Sequence, residues 1–351
     1  MDVRIASEND REKWNQFVDR EGGSFHHYFE WKYYYEKNSL KHHFIPLIIE
    51  DNNADILGIF PLEENLRLIY NFLTSLPLGV SNGFLIKSDL GNKEKKMAIQ
   101  SFLTYIDTNY SGSHSLFTIK EHLSFSEESI PPTQILLDNG YIWSDNTTTG
   151  LPCAHVLKLE KPFEQKIWMG LMDKSLRRRI RQARKNGAEI VVDHDFIYLD
   201  DFVEMQIQSY EKFGHHPTKD DITSIFSIFR KKIKLFVCLL NSKPISAALC
   251  YYTPTTVHCS MAPYNPIAKD YLTNTLPICA SMRHACEQGY NYYDNGLTTT
   301  PEIAYHKEKF GAKKIPLRIY TKKFSPIKTG LNDAYDSIKQ KGKKLVRLFK
   351  Q

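Results

Sequence analysis

Long apolar runs are missing from this 351-residue sequence. None approaches the roughly 18 residues that mark a membrane-crossing helix. The first fourteen residues, MDVRIASENDREKW, mix acids and bases and contain no apolar h-region, so they do not read as a signal peptide. The expected compartment is therefore cytoplasmic. Cysteine is sparse: Cys153, Cys238, Cys250, Cys259, Cys279 and Cys286. No two of them form a C-x-x-C pair, and no histidine stands at zinc-ligand spacing, so no metal is expected. Apolar surroundings and a reducing compartment predict reduced structural thiols. A strong excess of one charge is also missing. Lys and Arg number 46 against 40 Asp and Glu, a net +6 with pI near 8.8. That falls short of a dedicated nucleic-acid protein, yet it suits an anionic substrate, tRNA or an acidic membrane surface.

What is present is enough for a globular core. Hydrophobic residues make up 42% and charged residues 25%, and the length suits two domains. In the first half, 14–20 and 28–37 read as helices, and 43–50 and 56–62 as strands around a DNNA turn. Further on, 93–109 reads as a helix and 115–120 as a strand. The second half opens with a strand at 154–159 and a helix at 174–186 stopped by Gly187. A strand at 188–192 and helices at 200–212 and 219–229 follow. A meander of 234–240, 245–252 and 257–262 turns at Asn241-Ser-Lys-Pro. Residues 270–320 then supply a helix (272–287), a Tyr-rich strand (290–294), a Gly-containing turn at Asn295-Gly296, a short helix ending in Lys307-Glu-Lys-Phe-Gly311, and a last strand (314–320). Helices, an antiparallel meander, a crossover helix and a further strand predict an α+β fold. In the tail, Leu331, Ala334, Ile338, Leu345 and Leu348 fall on one helical stripe opposite a lysine-rich face. Such a helix packs on the body, or lies on an anionic membrane or RNA.

The closing block, with a lysine just before the Phe-Gly helix stop, resembles the last third of the FemAB-like branch of the GNAT acyltransferase fold. Other stretches resemble that family in the same order. They are Ser24-Phe25-His26-His27 leading to Glu30-Trp31, Gly58-Ile-Phe-Pro-Leu62, Ser75 through Gly83, Trp168, and the basic helix Lys174 through Gly187. The resemblance implies two GNAT-like domains packed side by side, each a mixed, mostly antiparallel sheet flanked by helices. Their expected extents are 1–150 and 151–325, with a basic amphipathic helix at 326–351. It also implies transfer of an acyl or aminoacyl group to an amine. Family members add amino acids from aminoacyl-tRNA to a peptidoglycan precursor, and relatives in polysaccharide systems are assigned acyl-CoA as donor.

Aminolysis of an ester or thioester builds negative charge on the carbonyl oxygen, and a fixed cation there lowers the barrier. The resemblance implies that Lys307 is this cation; the bland alternative is an exposed helix lysine. The family's preceding aromatic is His306 here. Asp294, at the end of the Tyr-rich strand, is the candidate base, or else a carboxylate that satisfies loop N–H groups. Leu176, Ile180 and Ala183 share one face of the basic helix and should bury, and Arg177, Arg181 and Arg184 share another. Arginine forks suit the phosphates of a nucleotide-linked or lipid-linked precursor, or of tRNA. Trp31 and Tyr264 complete the expected substrate-binding set. His215-His216 reads as a surface loop. An acyl-CoA GNAT grips pyrophosphate with glycine-rich backbone at the crossover helix, yet residues 262–273 hold no glycine and two prolines. That favours aminoacyl-tRNA or an unusual donor. The competing reading is a non-catalytic anion- or RNA-binding module on a decayed transferase fold.

Overall fold

The apolar runs on either side of Asp51-Asn-Asn-Ala54 fold back on one another as antiparallel strands, paired from His42↔Asn65 to Glu50↔Ile56. Asp51 sets the turn: its Oδ1 accepts the N–H groups of Asn53 and Asp55 at 2.9 and 2.8 Å. The computed structural model describes residues 1–38, 41–66, 70–75, 83–121, 133–144, 152–212, 216–271, 273–325, 327, 330 and 331. Most of the 75–83 stretch, His215 and almost all of the basic tail lie outside the described residues. No helix among the described residues is long and apolar enough to cross a membrane.

In chain order the first elements are β1 (Asp2–Ile5), α1 (Arg11–Arg20), α2 (Trp31–Asn38), β2 (His42–Glu50), β3 (Ile56–Asn65), β4 (Asn71–Ser75), β5 (Leu85–Ile86), α3 (Asn92–Tyr110), β6 (His114–Lys120), α4 (Thr133–Asp138) and β7 (Ile142–Ser144). The rest are β8 (Cys153–Lys158), α5 (Lys174–Lys185), β9 (Ala188–Asp193), α6 (Leu199–Glu211), α7 (Lys219–Phe229), β10 (Ile233–Leu240), β11 (Lys243–Tyr252), β12 (Thr256–Met261), α8 (Ile267–Asp270), α9 (Leu276–Gln288), β13 (Tyr292–Thr298), α10 (Pro301–Glu308), β14 (Lys313–Pro316) and β15 (Ile319–Lys323).

The chain forms two compact units, and neither is one stretch of sequence. The first comprises residues 1–17, 39–145 and 318–351; the second comprises 18–38 and 146–317. A single cut near residue 150 therefore leaves two segments on the wrong side of it. Residues 18–38 join the second unit because Phe25 stacks on Tyr251 with ring centroids 4.1 Å apart. The stretch expected as one strand at 314–320 is two. β14 ends at Pro316, which has no N–H to extend a ladder, and β15 pairs in the other sheet.

The first unit's sheet runs β1-β2-β3-β4-β6-β15-β7, with β5 on β3. Its core gathers Phe60, Phe102, Phe117 and Tyr320, all fully buried. The second unit's sheet runs β14-β8-β13-β12-β11-β10-β9. Leu176, Ile180 and Ala183 of α5 and the apolar face of α9 bury into its core, as their helical spacing requires. All six cysteines are buried and none is in a disulfide.

Candidate active site

The second sheet is antiparallel except where β12 and β13 run parallel, and that pairing is brief. Only Thr256↔Tyr292, Val257↔Tyr293 and His258↔Asp294 face each other; beyond them the two strands part. At the parting point β13 carries a bulge between Asp294 and Leu297 in its ladder with β8. The expected turn at Asn295-Gly296 is this bulge, and the strand continues to Thr298. Gly296 sits at φ +73°, and a Cβ there would lie 3.3 Å from His258 Cε1, so glycine both permits the kink and makes room for the imidazole.

Asp294 has two partners. Its Oδ1 accepts the Gly296 N–H at 2.7 Å, and its Oδ2 meets His258 Nδ1 at 2.8 Å. Both side chains are largely enclosed, each 13% exposed. Burial pushes the Asp294 carboxyl upward, but the charge and hydrogen bond of His258, the Gly296 N–H and the Lys307 charge outweigh it and hold it below the usual carboxylate range. An ionised carboxylate only accepts, so the His258 Nδ1 carries a proton and Nε2 is the ring nitrogen turned away from the carboxylate. That nitrogen lies against Gly296. Tyr251 stacks beside the imidazole at 5.9 Å, and His26 meets it edge-on at 5.7 Å.

Lys307 reaches the same bulge from α10. Thr300 caps this helix by accepting the Ile303 N–H, and Pro301 occupies its first turn. The helix ends at Glu308, and the turn after it reaches Gly311, at φ +85°, where a Cβ would fall 2.6 Å from Leu171 Cβ. His306 packs its ring edge-on against buried Phe310 at 5.4 Å, so it fills the aromatic position it occupies. The Lys307 Nζ donates to the carbonyls of Gly296 (3.0 Å) and Leu297 (2.8 Å), so it points inward and not into bulk solvent. Burial lowers its pKa to about 8 against the opposing pull of Asp294, Cys259 and Cys153. Beneath it His155 is fully buried, with Nδ1 2.8 Å from Thr298 Oγ1 and Nε2 3.6 Å from Glu308. Burial and the Lys307 charge depress its pKa, so it stays neutral. Asn295 is buried too, and its Nδ2 has no hydrogen-bond partner.

The structure thus brings together Asp294 and Lys307 of the expected site residues, and adds His258, which the sequence reading missed. A lone histidine in an apolar strand looks like core. Its role depends on a parallel neighbour 36 residues downstream. The others lie elsewhere in the second unit. On α5, Arg177 is half-buried with Nη1 on Met169 Sδ, and Arg181 is exposed with its guanidinium 5.7 Å from the Trp168 ring. Arg184 is exposed. Half-buried Arg179, outside the expected trio, acts electrostatically on His306 next to Lys307. Trp31 is corrected: it is 1% exposed and its indole N–H is spent on the Phe25 carbonyl at 3.1 Å, so it backs the site's aromatic wall and offers substrate no surface. Tyr264 lies between Lys212 and Lys269, whose Nζ atoms are 5.8 and 5.5 Å from its ring.

The crossover helix α9 starts later than expected because Pro277 sits in its first turn. The Leu276 N–H donates to Thr273 O and the Cys279 N–H to Thr275 O, and Pro277 has none. Separately, a cavity of about 330 Å³ lies among Lys37, Asp195, Phe196, Phe226 and Arg230. Among the described residues no group of three His, Cys, Asp or Glu side chains is placed to hold a metal.

Residues 172–307, from just before α5 to Lys307, match the family described as an acetyltransferase (GNAT) domain. The structure of FemX superposes with a TM-score of 0.72, at 13% identity, over 91% of this chain and 97% of that one. The chain shares the fold of FemX. A tandem GNAT protein from the clavulanic acid biosynthesis pathway superposes at TM-score 0.53 and 10% identity, covering 93% and 98% of the two chains. The C-terminal domain of a putative lysylphosphatidylglycerol synthetase from Agrobacterium fabrum gives 0.57 and 12%, covering 93% and 96%. No curated protein sequence matches. The chain thus carries an acetyltransferase-type GNAT domain within an α+β architecture of two GNAT-like sheets, and the matched domain holds the Asp294–His258–Lys307 cluster.

Proposed function

We propose that this acyltransferase moves an aminoacyl group from aminoacyl-tRNA to an amine of a phosphate-bearing cell-envelope precursor. The observation that carries the reading is the Lys307 ammonium, held by two carbonyls where β12 and β13 part, beside the Asp294–His258 pair. The amine attacks the ester carbonyl; a C–N bond forms and the C–O bond to the tRNA ribose breaks. His258 Nε2 takes the proton the amine loses and passes it to the departing ribose oxygen, which leaves as a hydroxyl, and Asp294 fixes its tautomer. An ammonium has three N–H groups, and two are bonded to carbonyls. The third supports the oxygen that gains charge, in a site shielded from water where such a contact is worth most.

Aminoacyl-tRNA is favoured over acyl-CoA as donor because the α9 N-terminus has little backbone N–H left for a pyrophosphate. Exposed Arg181 and Arg184 suit the phosphates of tRNA. The acceptor phosphate suits the cavity with Lys37 and Arg230, whose aromatic rings would take an apolar or planar group. One structural neighbour is named for lysylphosphatidylglycerol, itself an aminoacylated, phosphate-bearing product.

The test supplies purified protein with labelled aminoacyl-tRNA or labelled acetyl-CoA, and with nucleotide-linked or lipid-linked amine acceptors. Label should leave the tRNA and appear on an acceptor. Label leaving only CoA would overturn the donor assignment. Salt-dependent tRNA retention with no turnover of either donor would instead mark an RNA-binding module.

A further inference from the structure

Directly opposite residues on antiparallel strands share a face of the sheet, with Cα atoms about 4.5–5.5 Å apart. Cys250 of β11 and Cys259 of β12 are such a pair. Their register alone puts them inside the Cα separation of about 4.4–6.8 Å that a disulfide spans. Successive side chains on a strand point to opposite faces. Tyr251 and His258, the next pair along, stack on the side of the candidate active site, so Cys250 and Cys259 point towards α9. There Cys250 Sγ lies 3.8 Å from the Tyr293 hydroxyl, which bonds Ser281 Oγ of α9 at 2.5 Å. The two thiols also hydrogen-bond each other.

The ladders are interrupted on both sides of this pair. Leu249 pairs with Met261 and Cys250 with Cys259, so Ser260 is an extra residue in β12. The β12–β13 pairing ends at His258, so Cys259 is the first residue of β12 without β13 beside it. Cys259 is 8% exposed there, whereas Cys250 is fully buried. Their chemistry differs as well. The S–H of Cys250 donates to the Cys259 sulfur. That bond, the Tyr293 hydroxyl and the His258 and Lys307 charges draw the Cys259 thiol below its ordinary pKa, against the cost of burial. Burial pushes up Cys250, and likewise Cys153, Cys238, Cys279 and Cys286. Cys259 is therefore the sulfur best able to act as a thiolate nucleophile.

We propose that Cys250 and Cys259 form a reversible redox site, closed by hydrogen peroxide to a disulfide that ties β11 to β12 one residue from His258. The Cys259 sulfur attacks a peroxide oxygen. An S–O bond forms, the O–O bond breaks, and the departing hydroxide takes the thiol proton and leaves as water. The Cys250 sulfur then attacks the Cys259 sulfenic acid. The S–S bond forms, the S–O bond breaks, and a second water leaves with the Cys250 proton. The two sulfurs give up two electrons and the peroxide takes them; a dithiol reverses the change by exchange. His258 directly precedes Cys259, and Asp294 directly follows Tyr293, which loses the Cys250 S–H as a neighbour. Closing the bond therefore shifts the Asp294–His258 pair. The site stands apart from the transfer reaction proposed above.

The test exposes native full-length protein to hydrogen peroxide, caps the remaining thiols by alkylation and maps the peptides by mass spectrometry. Chymotrypsin cuts after Tyr251 and Tyr252, between the two cysteines, so their disulfide holds two peptides together until dithiothreitol parts them. The linked pair should form at least about tenfold faster than any change at Cys153, Cys238, Cys279 or Cys286. Cys259→Ala and Cys250→Ala should each abolish it. In ¹⁵N-histidine-labelled protein the ring-nitrogen NMR signals of His258 should move as the pair closes, return with dithiothreitol, and stay still in Cys250→Ala. The mapping and the His258 signals of the unsubstituted protein decide the matter even if a variant does not fold. The proposal is overturned if peroxide leaves the pair reduced, if it carries Cys259 to sulfinic acid without a disulfide, if the other cysteines react as fast, or if the bond forms and His258 does not respond.

Discussion

Replacing Lys307 by methionine separates two roles that a buried lysine can play. The substitution keeps an unbranched side chain of similar length and removes the charge. In the native state Lys307 titrates near 8, against 10.5 for a free lysine. At about 1.4 kcal/mol per pH unit, its surroundings disfavour the ammonium by about 3 kcal/mol. Loss of its two carbonyl hydrogen bonds costs roughly 1–3 kcal/mol in the other direction. The two nearly cancel, so Lys307→Met should leave Tm unchanged or slightly raised. If the third N–H supports the developing oxyanion, kcat should fall by about 10²–10³-fold, corresponding to about 3–4 kcal/mol in the transition state. The assay is single-turnover transfer of labelled amino acid from tRNA, alongside a thermal melt. Near-normal turnover with a Tm several degrees lower would refute the reasoning, because it would make Lys307 a structural tether.

The same pKa predicts that transfer declines as pH rises through about 8, where the ammonium is lost, and that Lys307→Arg, permanently charged, removes the decline from the pH–rate profile of the activity it retains. Stability should move the other way. Between about 8 and 10.5 the unfolded chain binds the proton that the folded chain has released, so this residue's contribution to stability rises with pH across that window, as urea titrations would read. His258→Asn should lower kcat by about 10²–10⁴-fold, and adding Asp294→Asn should cost little more, because the two act as a unit; additive losses would separate their roles. Gly296→Ala forces a Cβ into the left-handed region and against His258, and should cost about 1–3 kcal/mol in denaturant unfolding together with most of the activity.

Helix and strand identities were readable wherever a stripe or alternation met a clear stop. Residues 219–229 and the α5 core face Leu176, Ile180 and Ala183 are examples. Legibility failed where a partner far along the chain decides. Residues 314–320 look like one strand until Pro316 releases the chain to a different sheet. Asn295-Gly296 has the local signature of a turn, but β8 carries the ladder past it as a bulge. Of the site, Lys307 and Asp294 were legible through a family resemblance. Trp31 misled because an aromatic at a motif's end reads equally as wall and as contact surface. His258 needed the parallel register of β12 and β13, which no local pattern encodes.

β15 has a consequence for biosynthesis. It lies between β6 and β7, yet it is made after the whole of the second sheet. At about 5–20 residues per second, it leaves the ribosome roughly 10–35 s behind β7. Throughout that interval β6 and β7 lack the strand that joins them, and each exposes an unsatisfied edge. A nascent chain stalled before residue 319 is therefore a clear target for chaperones and proteases, even though every residue of its second unit has already been made.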